Sequence, residues 1–232
     1  MSETKELEVL YYIGDNEIRL TPSIVQNYIV GNDSKITLQE FKFFTELCKA
    51  RKLNPFLKEA YCIKYGNQPA QIVVGKDVFL KRADAHPAYD GKESGVIVQR
   101  EDGTIEERQG CFVAPNEKLL GGWAKVYRKD RKYPSYMSVS FDEVAGRKNN
   151  GELNSTWAKQ GATMVEKVAK VRALREAFIE EFQGMYIEEE FENTRHASQD
   201  NDVTNPFKDV IEVKEVEVKD ADKQQLSQSR HE

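Results

Sequence analysis

The chain has 232 residues, with 34 Lys plus Arg against 39 Asp plus Glu, three Cys, seven Pro and 39% apolar residues. That is a size for one globular domain with tails, or for two small domains. Its apolar runs stop at four or five residues, far short of the roughly 20 that a membrane-spanning helix needs, and Met1 to Tyr12 lacks the basic start and apolar stretch of a secretory signal. The expectation is a soluble, cytoplasmic protein.

In chain order, residues 1–34 form an acidic N-terminal segment, with the folded part starting near Ile18. Thr37-Leu38-Gln39-Glu40 is a capping box that opens the first clear helix. Leu38, Phe41, Phe44 or Thr45, Cys48 and Leu53 follow at helical spacing, and Asn54-Pro55 stops it. Glu59 to Tyr65 and Gln71 to Val74 read as a hairpin around Gly66-Asn67, and a short helix runs from Lys76 to Ala85. Ser94 to Arg100 and Thr104 to Val113 flank a second turn, Glu101-Asp102-Gly103. Trp123 to Arg128 and Ser135 to Phe141 make a third pair, with Gly121-Gly122 as punctuation before it. A long helix capped by Ser155 or Thr156 extends to about Phe182, with Trp157, Gly161, Met164, Val168, Phe178, Ile179 and Phe182 on its apolar face. Residues 188–232 are acidic and poor in large apolar side chains, too poor to offset their ordering entropy, and are expected to be a largely disordered tail. The fold class is α+β, with antiparallel hairpins packed on helices.

The net charge of −5 hides a pattern. Residues 1–34 carry 2 basic and 6 acidic groups, residues 35–187 carry 26 and 20, and residues 188–232 carry 6 and 13, giving −4, +6 and −7. Local potential decides whether a polyanion is attracted, so the basic middle keeps a nucleic-acid partner open.

No Walker A, GxSxG or HExxH motif is present. Cys48, Cys62 and Cys111 are odd in number and far apart, against a disulfide framework or a CxxC zinc site. Asp84, His86 and Asp90 in DAHPAYD are either a helix-ending turn with solvated carboxylates or the ligands of a Mg²⁺-dependent nuclease. A binding surface has more support. Trp123, Lys125 and Tyr127 share one strand face, and the chain continues into Arg128, Lys129, Arg131 and Lys132. Basic groups neutralise phosphates and aromatic faces stack on unpaired bases; the alternative is a solvated hairpin tip whose aromatics belong to the core. On the long helix, Lys159, Lys167 and Lys170 lie opposite the apolar stripe. Arg175 projects into that stripe, where an unpaired guanidinium is costly. Either a carboxylate pairs with it or it reaches an anion-binding groove, and Arg172 borders the same region.

Four blocks in order carry a resemblance: Leu53-Asn54-Pro55-Phe56-Leu57-Lys58-Glu59-Ala60-Tyr61, Val73 to Phe79, Val126-Tyr127-Arg128-Lys129-Asp130-Arg131, and Trp157 through Arg175. Together they resemble the RecT/Bet family of phage single-strand annealing proteins, of the Red beta type, over residues 35–187. The resemblance implies an ATP-independent, non-enzymatic protein that coats single-stranded DNA, forms rings or helical filaments and pairs complementary strands in homologous recombination. It implies a phage or prophage product in the bacterial cytoplasm, served by a phage exonuclease and a host single-strand-binding protein, with single-stranded DNA and the annealed duplex intermediate as ligands. No cofactor is required, with Mg²⁺ an optional participant in annealing, and residues 1–34 become an oligomer contact. Lys58, Arg128, Lys129, Arg131 and Arg175 match the family's basic positions. Lys64, Lys132, Lys167 and Arg172 join them as DNA-binding candidates, with Tyr127 and Trp157 as base-stacking candidates. A plain single-strand DNA or RNA binder that does not anneal is the alternative. The family's longer C-terminal docking segment is replaced here by the acidic tail, whose charge would let it compete with DNA for the groove.

Overall fold

An apolar strand, β1 (Val9–Ile13), pairs antiparallel with the mixed strand β2 (Asn16–Leu20) in a hairpin around a turn in which Gly14 takes φ +57°. The structure, a computed structural model, describes residues 7–30, 35–64 and 69–191. Tyr11, Ile18 and Leu20 are buried in the main core, and the Tyr11 hydroxyl donates to the Leu53 carbonyl at 2.7 Å. The fold therefore begins before Ile18: each of these strands has only one or two buried side chains, too few for the sequence pattern to register. A short helix, α1 (Pro22–Ile24), capped by Thr21, runs into a π-helical turn, Val25–Ile29.

Helix α2 (Leu38–Ala50) has the expected capping box. Thr37 Oγ1 accepts from the Glu40 N–H at 3.2 Å, and the Glu40 carboxylate accepts from the Thr37 N–H at 2.6 Å. Phe41, Phe44, Thr45 and Cys48 form its buried stripe. Asn54 caps the 3₁₀ turn Pro55–Leu57, which delivers the chain to β3 (Ala60–Ile63), paired antiparallel with β4 (Gln71–Val74). The Gly66-Asn67 turn lies outside the described residues. Helix α3 (Lys76–Ala85) follows as predicted.

The third sheet has the order β6-β5-β7-β8, all antiparallel, with β5 (Tyr89–Gln99), β6 (Ile105–Gln109), β7 (Lys118–Arg128) and β8 (Ser135–Ser140). Both central strands are longer than their apolar runs suggest. Gly121 and Gly122 sit inside β7 and do not punctuate it. A Cβ on Gly121 would stand 2.3 Å from the Val139 carbonyl oxygen, and one on Gly122 would stand 2.6 Å from that of Val165. The glycines are there because neighbouring backbone comes too close for any side chain.

Behind the sheet, α4 (Phe141–Val144) leads to the long helix α5 (Ser155–Ala177). Its cap is Asn154, whose Oδ1 accepts from the N–H groups of Thr156 and Trp157, so neither Ser155 nor Thr156 caps it. The helix is kinked at Gln160 and ends at Ala177. Phe178 breaks the helical geometry, and α6 (Ile179–Phe182) is a separate turn that leaves Ile179 exposed, off the apolar face assigned to it from sequence. Val165, Val168, Ala169 and Leu174 of α5 join Val96, Val98, Ala124, Val126 and Val139 of the sheet in one core. The chain then returns past β4, where the Val74 N–H donates to the Tyr186 carbonyl at 2.8 Å. Met185 and Ile187 are buried, and a 3₁₀ turn forms at Glu188–Glu190. Ordered chain thus extends past residue 187, while residues 192–232 of the expected tail lie outside the described residues.

Because the approach of β7 to α5 is a backbone contact, Gly122→Ala is expected to cost about 1–3 kcal/mol, the usual penalty for overpacking. Thermal unfolding should register it as a Tm several degrees lower.

Candidate nucleic-acid interface

Strand β7 ends in the densest exposed basic segment of the fold. Lys129, Arg131 and Lys132 in the β7–β8 turn are exposed and make no ion pair among the described residues. Lys132 Nζ lies 5.3 Å from the centre of the exposed Tyr133 ring. The Lys129 N–H donates to the Ala88 carbonyl at 2.8 Å and the Arg131 N–H to the Arg128 carbonyl at 3.2 Å, so the backbone fixes the turn while the charges face outward.

Arg128 has a different position. Its Nε donates to Asp130 at 2.8 Å, its Nη1 donates to the Ala177 carbonyl at 2.6 Å, and its guanidinium lies 4.7 Å from the centre of the Phe178 ring. This guanidinium pins the basic turn to the end of α5, and it holds the exposed Asp130 carboxyl at about 2. Arg128 and Arg131 line a cleft of about 410 Å³ with His86, Phe178 and Glu181. A larger cleft of about 710 Å³ adjoins it through His86, Glu180 and Glu181 and carries Lys52, Lys81 and Arg82 on its walls. Lys58, in a left-handed conformation with φ 58°, is exposed beside Leu57, which lines the larger cleft.

The α5 candidates Lys167, Arg172 and Arg175 already have anionic partners. Lys167 meets Glu189 at 2.5 Å, and Arg172 lies 3.6 Å from Glu190 and 3.9 Å from Glu143. Arg175 donates to both Glu190 oxygens and, at 3.1 Å, to the Met185 carbonyl, with its guanidinium 4.7 Å from the Tyr186 ring centre. Burial opposes the charge of Arg175, but Glu190 outweighs it and raises the pKa. Of the two sequence alternatives, pairing with a carboxylate is the one the fold displays.

Two other candidates belong to the interior. Lys64 is 8% exposed and gives two hydrogen bonds to Glu40, at 2.8 and 3.0 Å. Trp157 is 1% exposed, edge-on to Phe141, so neither ring face is open to a base; its place at the first turn of α5 puts it against the core. Tyr127 is half-buried on the outer face of the sheet, and its hydroxyl donates to Glu93 at 3.1 Å. Sequence reasoning placed Lys125 on the binding face but outside the DNA-contact set, and missed Tyr136. They face each other across β7 and β8, with Lys125 Nζ 5.0 Å from the Trp123 ring centre and 5.6 Å from that of Tyr136. The period-two alternation of the strands carries that signal, but only once the register is known.

In the DAHPAYD segment, His86 packs on Phe178 at 4.6 Å between ring centres, and its Nδ1 accepts from the Ala88 N–H. Among the described residues, no group of three or more His, Cys, Asp or Glu side chains is placed to hold a metal ion. Cys48 and Cys62 are buried free thiols, and burial pushes Cys62 up to about 12.

The Glu40–Lys64 pair gives a pH test. Burial raises the Glu40 pKa, but hydrogen bonds from Lys64 and from the Thr37 and Ala70 N–H groups outweigh it and hold the carboxyl at about 2, below its ordinary 4.5. A depressed carboxyl stabilises the fold fully above its unfolded pKa, and that contribution is lost as pH falls through the folded value. The wild type should lose stability between about pH 4.5 and 2. Glu40→Gln should be less stable at pH 7 with a flatter acid limb, measured by urea unfolding across that range.

No helix among the described residues is long and apolar enough to cross a membrane. No curated protein matches the chain in sequence. The family model described as the RecT family matches residues 15–205, which takes in both basic sets, the glycine strand and the long helix. With most of its length matched, the chain belongs to the RecT family, whose proteins act in DNA recombination by single-strand annealing.

Proposed function

We propose that this protein binds single-stranded DNA through its phosphates and anneals complementary strands without ATP, oligomerising on the DNA as a ring or helical filament. The observation that carries the reading is the β7–β8 turn: Lys129, Arg131 and Lys132 project their charges to solvent from a backbone held by Ala88 and by the Arg128 pin. Phosphate contacts position a strand without reading its sequence and leave base edges free for Watson–Crick pairing. Neutralising phosphates on both strands also lowers their mutual repulsion. Arg128 anchors this surface, Lys58 stands exposed beside Leu57 of the larger cleft, and Lys167, Arg172 and Arg175 form a second basic set on α5. The modest +6 of residues 35–187 favours a mode in which many subunits share one DNA molecule. A phage exonuclease that supplies the single strand and a host single-strand-binding protein are the partners this role calls for, in the bacterial cytoplasm, with Mg²⁺ as an optional aid to pairing.

The triple variant Lys129→Ala/Arg131→Ala/Lys132→Ala should keep the wild-type Tm, because all three side chains are exposed. Its affinity for oligo(dT) should fall and its salt slope should flatten by about 2, at about 0.7 per phosphate on a single strand. In a fluorescence assay on complementary oligonucleotides without ATP, the wild type should accelerate pairing and the variant should not. A wild type that binds but slows pairing would be a coating protein and would sink the annealing reading.

A further inference from the structure

Lys167, Arg172 and Arg175 fall within about 140° of the circumference of α5, and Glu189 and Glu190 of one 3₁₀ turn meet all three. The turn is tied to the fold unevenly. Up to Ile187 it is anchored by the buried side chains of Met185 and Ile187 and by the hydrogen bond from Val74 to Tyr186. Beyond Ile187, the Glu188 carboxylate accepts from the Tyr61 hydroxyl at 3.4 Å and the Phe191 ring packs on Tyr186, while the turn's ties to α5 are the carboxylates of Glu189 and Glu190. Of the two carboxylates, Glu190 has partners on both oxygens, but Glu189 is 9% exposed and its second oxygen, Oε2, is buried without a hydrogen-bond partner among the described residues. Burying an anion with an unmet acceptor is costly. A phosphate, with more acceptor oxygens than a carboxylate, can pair the same cations by charge-assisted hydrogen bonds.

We propose that the Glu188–Glu190 turn is an intramolecular competitor of DNA: its carboxylates occupy the phosphate positions of α5, and a bound single strand displaces the turn by pivoting it at Glu188. The proposal rests on the reading of this chain as a single-strand binder and adds the regulation of one of its two basic sets. It differs from competition by the remaining acidic residues 192–232, because the competing groups lie in the folded part and are already seated. Weak DNA leaves the turn in place and is held by the β7–β8 turn alone. A strand engaged on both basic sets gains the α5 cations only after the carboxylates leave, which penalises short or incidental contacts and favours long, continuous single strands.

The test uses the full chain, a fluorescein-labelled oligo(dT) and the variant Glu188→Gln/Glu189→Gln/Glu190→Gln, with fluorescence anisotropy across a salt series. Removing the competitor should raise affinity on the order of tenfold at about 0.1 M salt and steepen the salt slope by about 2, for three more neutralised phosphates. A folded variant with unchanged or weaker affinity overturns the proposal. Hydrogen exchange on the wild type gives a readout that does not depend on how well the variant folds. Amides of residues 188–191 should lose protection when oligo(dT) is added, and unchanged or increased protection overturns the proposal. Failure here and failure of the single-strand reading are separable. If the Lys129/Arg131/Lys132 variant loses binding while the Glu→Gln variant gains none, only the competition is wrong; if the wild type does not bind oligo(dT) at all, the underlying reading fails.

Discussion

The fold depends on how closely β7 approaches its neighbours. Gly121 and Gly122 let the strand lie against β8 and α5 at distances that a methyl group would already violate, so the sheet and the long helix meet backbone to backbone in the middle of the core. Two functional elements follow from that contact. β7 runs on past the glycines into the turn bearing Lys129, Arg131 and Lys132, while α5 runs beneath it and ends where Arg128 reaches the Ala177 carbonyl. The basic turn is therefore not a loose hairpin tip. It is fixed to the helix by a guanidinium that also packs on Phe178 and neutralises Asp130.

This arrangement sorts the basic residues by partner, although sequence had grouped them together. Lys64 is taken up by Glu40, where it stabilises the start of α2 and the strand beside it. Lys167, Arg172 and Arg175 are taken up by the Glu189–Glu190 turn, Lys170 by Glu166, and Arg128 by Asp130. Lys58, Lys129, Arg131 and Lys132 are left facing solvent. A cation already paired with a carboxylate offers a polyanion only the difference between two anions, whereas an exposed cation offers its full charge. On the proposed reading the exposed turn would meet DNA first, and the α5 set would contribute only once its carboxylates leave.

Much of the architecture was legible in the sequence because local chemistry fixed it. The Thr37–Glu40 capping box, the Asn54-Pro55 stop, the Asp102-Gly103 turn and the span of α3 each depend on residues within a few positions of one another. The errors came where long-range packing decided. Gly121-Gly122 reads as a break until the carbonyls of Val139 and Val165 are seen pressing on it. Asn154 takes the cap of α5 from Ser155 and Thr156, all three being residues of capping type. The N-terminal hairpin has too little alternation to register, yet Tyr11 closes the core through the Leu53 carbonyl.

The candidate site was legible in composition but not in state. Sequence placed Arg175 where only a carboxylate or an anion-binding groove would make its charge tolerable, and both alternatives rest on one requirement, a negative partner for a half-buried guanidinium. Helix geometry alone cannot choose the partner, since Glu190 comes from a turn fifteen residues on whose position is set by Met185 and Ile187 in the core. Requiring an anion at Arg175 and supplying a carboxylate gives the folded chain a satisfied resting state. On the proposed competition a half-buried cation shared with DNA needs such a resting partner, because leaving it unpaired when no strand is bound is costly.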